Sequence, residues 1–368
     1  MIRSLFRCIE LDNCLPNQNK VVILDSYHFL GAWSGWNSGE DMWARSTISG
    51  LRELGYTFLY SKSIDQTVQL YQMFPDLVKA IFSEGDDIYK CWEDEENCLL
   101  SESNPYGLPA WKLFAFHFWV TPASPLGRNW TLSPEPYVMD GSPENLYLGY
   151  SVEPSCMSQA FIPHDDRNDH IYIMTKDARN IADGYNPAQW PSHFYEAATK
   201  ATGINFILGA SGSNAAESPI PAGVTNHGLL DQKQFIQAVS ESLVLVGVGK
   251  PETSPTPYEA LCLGVPFINP IHSWDEAHPE NRQAWDGQHL LLKYMDPPYV
   301  YNVFKDDLLG FVEAIEDAIA NPIDRYVLER MRLSSIADRL HAILETDWKT
   351  RAAELLASKQ WIDKSFKL

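Results

Sequence analysis

Lysine and arginine are scarce in this chain: 28 against 48 aspartates and glutamates in 368 residues, a formal net charge of −20. Nucleic-acid binders concentrate basic side chains against phosphate backbones, so the balance argues against that class. It argues equally against a binder of anionic membrane surfaces. An anionic small ligand remains open, because helix N-termini and a few local cations suffice for one. Long apolar runs are also absent. The uncharged stretch from Leu113 to Gly127 is shorter than the ~20 residues of a membrane span and carries His117, Pro122 and Pro125. Met1 to Glu10 contains Arg3 and Arg7 but no long apolar core, so no signal peptide is visible. There is no G-x-x-x-x-G-K-[ST] loop, no H-E-x-x-H, no G-x-S-x-G and no Asp-x-Asp carboxylate pair for a metal-bound nucleotide. The six cysteines form no C-x-x-C pair, which argues against zinc and thioredoxin chemistry. Cys8/Cys14 and Cys91/Cys98 are spaced for local disulfides, and equally for free thiols in a reducing compartment. One glycosylation triplet, Asn129-Trp130-Thr131, is present.

What the chain does contain is enough apolar sequence, 45%, for globular cores, and a length that suggests roughly two domains of about 150 residues. Lys20-Val-Val-Ile-Leu-Asp25 reads as a strand, Gly31 to Gly39 as a Gly-rich loop, Glu40 to Leu54 as a helix closed by Gly55, and Thr57 to Tyr60 as a second strand. Strand, loop, helix, strand is a βαβ unit and implies a parallel sheet. Residues 64 to 83 read as helical, and 84 to 165 as less regular. A second alternating set begins at His170. It has strands at 171–174, 205–208, 243–247 and 266–269, and helices at 190–202, 231–240 and 257–263. Helical segments at 307–320, 324–346 and 348–361 end the chain. The expected division is a first α/β domain over 1–165 and a second over 166–368 that includes the terminal helices. Ligands of such domains sit at the C-terminal ends of the strands.

The most informative segment runs from Asn226-His-Gly228 through the strand Leu243 to Gly247. It continues into the turn Val248-Gly-Lys-Pro251 and the helix opening Ser254-Pro-Thr-Pro-Tyr-Glu-Ala260, and ends on Gly264-Val-Pro-Phe-Ile-Asn-Pro270. The turn from Gly249 to Thr256 and the start of the helix offer backbone N–H groups to an anion. Glu259 is placed where a carboxylate accepts two hydrogen bonds from a ribose diol. Lys176 and Lys250 end strands and are the candidates for neutralising a pyrophosphate. His227 and Gly228 either contact the ligand or hold their turn. The plainer explanation of each residue, a helix capped by Ser254 or Thr256 with Glu259 favourable to its dipole, stays open beside this one.

This run resembles the donor-binding half of glycosyltransferase family 18. Pro125-Leu-Gly-Arg-Asn-Trp-Thr-Leu-Ser-Pro134 and Asn145-Leu-Tyr-Leu-Gly-Tyr-Ser-Val-Glu153 resemble further family blocks, and Gly39-Glu40 resembles the family's G-E opening of its first helix. The resemblance covers roughly Val21 to Pro322. It implies a GT-B fold of the α/β class: two Rossmann-like domains facing across a cleft, the donor in the C-terminal one. It implies an inverting transfer of N-acetylglucosamine from UDP-N-acetylglucosamine to a mannose 6-hydroxyl of an N-glycan. It further implies no metal or other cofactor, and residence in the Golgi. A nucleotide sugar and a glycan acceptor are then the partners.

Inverting transfer needs a base to take the acceptor's proton. Glu40 follows the first strand's loop and falls on the family's catalytic position; Asp41 replaces it if the register slips by one. Trp119 and Trp130 are the candidates for packing against acceptor sugars, although with 12 tryptophans core packing competes for each. The chain departs from the family at Leu126, where a tryptophan is expected, at Thr253, where an acid is expected, and at Ile271, where a lysine is expected. A carbohydrate-binding protein that kept the fold and lost turnover is the second class of function compatible with these residues.

Overall fold

Val21 to Leu24 are four consecutive apolar residues, and all four are buried, the pattern of a strand covered on both faces of a parallel sheet. In the computed structural model this strand, β1, lies parallel to strands on both sides. The structure describes residues 1–36, 38–183, 190–212, 220–358 and 365–368. They divide into two units, Met1–Ser151 with Glu329–Leu368, and Val152–Leu328.

The first unit runs α1 (Ile2–Glu10), β1 (Val21–Leu24), α2 (Tyr27–Trp33), α3 (Gly39–Glu53), β2 (Thr57–Tyr60), α4 (Ile64–Met73), β3 (Val78–Ser83), α5 (Gly85–Glu93), β4 (Leu113–Phe116), β5 (Thr131–Ser133) and β6 (Leu146–Tyr147). All pairings are parallel, in the order β2-β1-β3-β4-β5-β6. The chain builds to one side of β1 and then crosses to the other. The C-terminal ends of β1 and β3 are therefore the switch point at which α/β sheets take ligands. Two expectations are corrected here. Residues 64 to 83 are not one helix: Pro75 cannot continue α4, and the apolar run after it pairs with β1 as β3. The stretch 84–165 carries two α-helices and three strands that short, Pro-broken runs conceal. Gly31 also belongs to a helix, where a Cβ would come within 2.5 Å of the Trp36 ring.

The second unit runs α6 (Glu153–Cys156), β7 (His170–Ile173), α7 (Ser192–Thr202), β8 (Asn205–Leu208), β9 (Val224–Asn226), α8 (Gln232–Ser240), β10 (Val244–Val246), α9 (Thr256–Cys262), β11 (Phe267–Ser273), β12 (Asp286–Gly287), β13 (Val300–Phe304) and α10 (Leu308–Ala320). The sheet order is β12-β11-β10-β7-β8-β9, with β13 parallel to β11 and β12 antiparallel. Its switch point lies between β7 and β10. Trp190, Phe194, Tyr195, Phe206 and Phe311 pack over the sheet. Gly203 ends α7 in the left-handed region at φ 74°, as its sequence position predicts.

The chain then returns to the first unit with α11 (Leu333–Glu345) and α12 (Trp348–Ser358). The second domain expected over 166–368 thus ends at Leu328. The physical reason is the apolar content of the two helices. Trp348 sits with its ring 4.9 Å from Phe114 and 5.2 Å from Trp130. Leu340 packs so closely on α3 that a Cβ at Gly50 would meet it at 3.2 Å. Glu345 accepts from the Tyr56 hydroxyl at 2.7 Å and pairs with Lys20 at 2.9 Å. The sequence pattern carries the last helix to 361; positions 359–361 lie outside the described residues. Among the described residues no helix is long and apolar enough to cross a membrane.

The cysteines form three disulfides. Cys8–Cys14 and Cys91–Cys98 close the local loops, and Cys156–Cys262 joins α6 to α9 across 106 residues. Spacing admits the two short bridges, with free thiols equally open, and does not point to the third.

Candidate functional site

In the second unit, Lys176 follows β7 and Lys250 follows β10. The two strands are neighbours, with Met174 N–H donating to Val246 O at 2.9 Å. Both lysine side chains are exposed. The structure therefore brings these two cations to the switch point. The turn after β10 is built by a residue that sequence reasoning missed. Gln288 is fully buried; its side chain accepts from Gly249 N–H at 3.0 Å and donates to Pro251 O at 3.2 Å, and its carbonyl accepts from Thr253 N–H at 2.8 Å. Trp190 adds an indole N–H to Gly247 O at 2.8 Å.

That construction spends part of the anion seat expected between Gly249 and Thr256. The N–H groups of Gly249 and Thr253 go to Gln288, the Thr256 N–H goes to Ser254 Oγ at 3.3 Å, and Pro251, Pro255 and Pro257 have none. α9 is only seven residues long, so its dipole is weak. Lys250 places an exposed side-chain charge on this turn, and Lys176 stands at the neighbouring strand end. Glu259 is 2% exposed in the first turn of α9 and accepts a hydrogen bond from the Ser155 hydroxyl. The ring of the preceding residue, Tyr258, meets His289 edge-on at 4.8 Å.

Asn226-His227-Gly228 ends β9, two strands from β7. The Asn226 side chain accepts from the N–H groups of Ala210 at 3.1 Å and Gly228 at 3.0 Å and donates to Ala210 O at 3.0 Å. It ties two strand ends together. Gly228 has φ +77°, which a residue with a Cβ rarely adopts. His227 is exposed. Two members of this motif thus hold the turn. Ile271, where the family resemblance leads one to expect lysine, is fully buried on β11.

In the first unit, Glu40 occupies the first turn of α3, half-buried, and among the described residues no hydrogen bond engages its carboxylate. Its charge reaches Tyr27, just after β1, and Tyr137, beyond β5; burial first, then nearby carboxylates including Glu40, raise both phenols. Asp41 is engaged differently. It is 2% exposed, accepts from Ser38 N–H at 2.8 Å in a capping box, and holds His28 Nδ1 at 2.9 Å. Burial pushes its carboxyl up, but the hydrogen bonds from His28 and Ser38 outweigh that and hold it below its ordinary 3.8. Its stabilisation of the α3 cap is therefore full above that ordinary value and is lost as pH falls through the lowered one.

Sequence reasoning did not single out His28 or Glu84, although Asp25-Ser-Tyr-His28 directly after the first strand was a signal. Glu84 follows β3, bonds Ser26, and is raised above its usual value by burial. Trp119 is exposed and suited to a sugar face. Trp130 is corrected to the core. It is 2% exposed, its indole N–H donates to Trp111 O at 3.1 Å, and Trp348 packs on it. Leu126 is buried as well.

A family-wide sequence profile, that of glycosyltransferase family 18, matches residues 122–359, more than half of the chain. The chain belongs to this family. Its two Rossmann-like units are the composition of the GT-B fold expected from the resemblance. Among relatives of family 18 type it is 27% identical over 135 residues to the human alpha-1,6-mannosylglycoprotein 6-beta-N-acetylglucosaminyltransferase B, covering 34% of this chain and 17% of that protein. It is 22% identical over 236 residues to the Cricetulus griseus A enzyme of the same name, covering 60% and 30%. The chain thus spans less than a third of the length of these relatives. Among solved structures it is similar to AviGT4, a glycosyltransferase involved in avilamycin A biosynthesis, at 11% identity and a TM-score of 0.47, covering 95% of this chain and 99% of that one.

Proposed function

We propose that this family 18 chain transfers N-acetylglucosamine from UDP-N-acetylglucosamine to a mannose hydroxyl of a glycan. The acceptor implied by resemblance is the 6-hydroxyl of an N-glycan α-1,6-mannose, giving a β-1,6 linkage. The observation that carries the proposal is the family match over the unit that holds Lys176, Lys250 and Glu259. The ribose of UDP rests on Glu259 and the diphosphate beside Lys250 and Lys176. The acceptor oxygen attacks the anomeric carbon from the face opposite the diphosphate. Its proton passes to the Glu40 carboxylate, the bond from that carbon to the diphosphate oxygen breaks, and UDP leaves with the electron pair. The configuration inverts. Preorganised cations, not a metal, stabilise the leaving diphosphate. Three disulfides suit an oxidising compartment, which supports the lumen of the Golgi as its place.

Glu259→Ala is expected to weaken UDP binding by about 1.5–3 kcal/mol, the worth of hydrogen bonds to a charged group. Calorimetric titration reads this, and unchanged affinity in the folded variant overturns the donor placement. Turnover is expected to survive EDTA, because lysines take the role that a metal–carboxylate pair plays elsewhere. A strict need for manganese or magnesium counts against the proposed mechanism. Release of UDP in the presence of a mannose-containing acceptor separates the enzyme from a binding protein on the same fold. The latter is favoured only by the loss of two expected contacts at Leu126 and Ile271.

A further inference from the structure

Glu259, the carboxylate assigned to the ribose in the proposed donor site, accepts a hydrogen bond from a residue outside α9. Ser155, on α6, donates its hydroxyl to Glu259 Oε1. The residue after it, Cys156, is bonded to Cys262 at the end of α9. Arg325 bridges the same two segments: one guanidinium nitrogen donates to Cys156 O at 3.1 Å and to Cys262 O at 3.3 Å, and the other to Gln159 O just after α6. Tyr326 N–H adds a bond to Leu261 O at 2.9 Å. A four-residue helix is thereby held against α9 by a covalent bond, by a cation shared between carbonyls and by the Ser155–Glu259 contact. Such a short helix has little stability of its own, so its position comes from these ties.

We propose that Ser155 is a positioning residue for the donor nucleotide, fixing the Glu259 carboxylate in the orientation that receives the ribose diol, and that the Cys156–Cys262 bond with Arg325 keeps Ser155 in reach. A glutamate side chain has several rotamers, and ordering it costs free energy when a ligand binds. A hydrogen bond from a neutral hydroxyl to a carboxylate is short and strong, and here it orders the side chain before the nucleotide arrives. It also stabilises a charge that is 2% exposed.

The inference rests on the donor placement proposed above, and its test keeps the two apart. UDP and 2′-deoxy-UDP are titrated calorimetrically into the intact chain and its variants. The wild type is expected to favour UDP. Ser155→Ala is expected to weaken UDP about tenfold and 2′-deoxy-UDP by much less, so that the preference narrows. Ser155→Thr, which keeps the hydroxyl, is expected to restore it. The Cys156→Ser/Cys262→Ser pair is expected to narrow the preference too, and an unchanged preference there overturns the tether. Equal weakening of both nucleotides in Ser155→Ala means general loosening of the unit and overturns the positioning role. Unchanged or tighter UDP binding overturns it as well, the tighter case meaning that Ser155 competes with ribose. If Ser155→Ala does not fold, Ser155→Cys, similar in size and a weak donor, takes its place in the comparison. If Glu259→Ala leaves UDP binding unchanged, the donor placement itself falls.

Discussion

Glu40→Gln is expected to lower kcat by about 10²–10⁴-fold, the usual worth of general-base catalysis, with UDP affinity and thermal stability nearly unchanged. Glutamine keeps the size of the side chain but cannot take a proton. The structure separates this residue from its neighbour. Glu40 has no hydrogen-bond partner among the described residues, whereas Asp41 is buried in the cap of α3 with Ser38 and His28. Asp41→Asn is therefore expected to act on stability, by about 1–2 kcal/mol as for a lost N-cap, with turnover per folded molecule within a few-fold. Steady-state kinetics and melting curves on both variants decide the matter. Near-normal turnover in Glu40→Gln, or collapse of turnover in a folded Asp41→Asn, assigns the base elsewhere.

The elements legible in the sequence were those whose signal is local. β2 and β8 fall on the residues expected, because compact apolar runs are bounded by turn residues. α7 and α9 end at Gly203 and Gly264, both at positive φ. Asp231 and Gln234 form the capping box that starts α8. What was not legible depends on distant partners. β4 to β6 are two to four residues long, too short for alternation to show. The return of α11 and α12 to the first unit is decided by Phe114, Trp130 and Gly50, more than 200 residues earlier in the chain. In the candidate site, charged residues at strand ends were readable, since strand ends and helix starts are. Their supports were not: Gln288 and Ser155 carry no motif, and only the fold brings them to the groups they hold.

Arg167→Met is expected to destabilise the second unit by about 3–5 kcal/mol, among the largest effects of any single change there. Arg167 is 7% exposed and donates to four carbonyls: Ile162 O at 3.0 Å, Ser242 O at 3.2 Å, Leu263 O at 3.0 Å and Gly264 O at 2.8 Å. Burial lowers its pKa to about 10, so it still carries its charge at pH 7. One planar fork satisfies the carbonyls at the end of α9, the residue before the strand leading into β10 and the segment before β7. Methionine matches the length but leaves all four acceptors without that donor, each costing about 1–3 kcal/mol before relaxation. Lysine keeps the charge but cannot reach four acceptors from one nitrogen, so Arg167→Lys is expected to fall between. For a unit of this size the loss corresponds to a drop in Tm of roughly 6–20 °C, read by differential scanning calorimetry. The first unit contributes none of these carbonyls, so a separate transition for the second unit should move and the other should not. A shift below 2 °C would mean that water replaces the guanidinium, and that α9 is held in place by the Cys156–Cys262 bond instead.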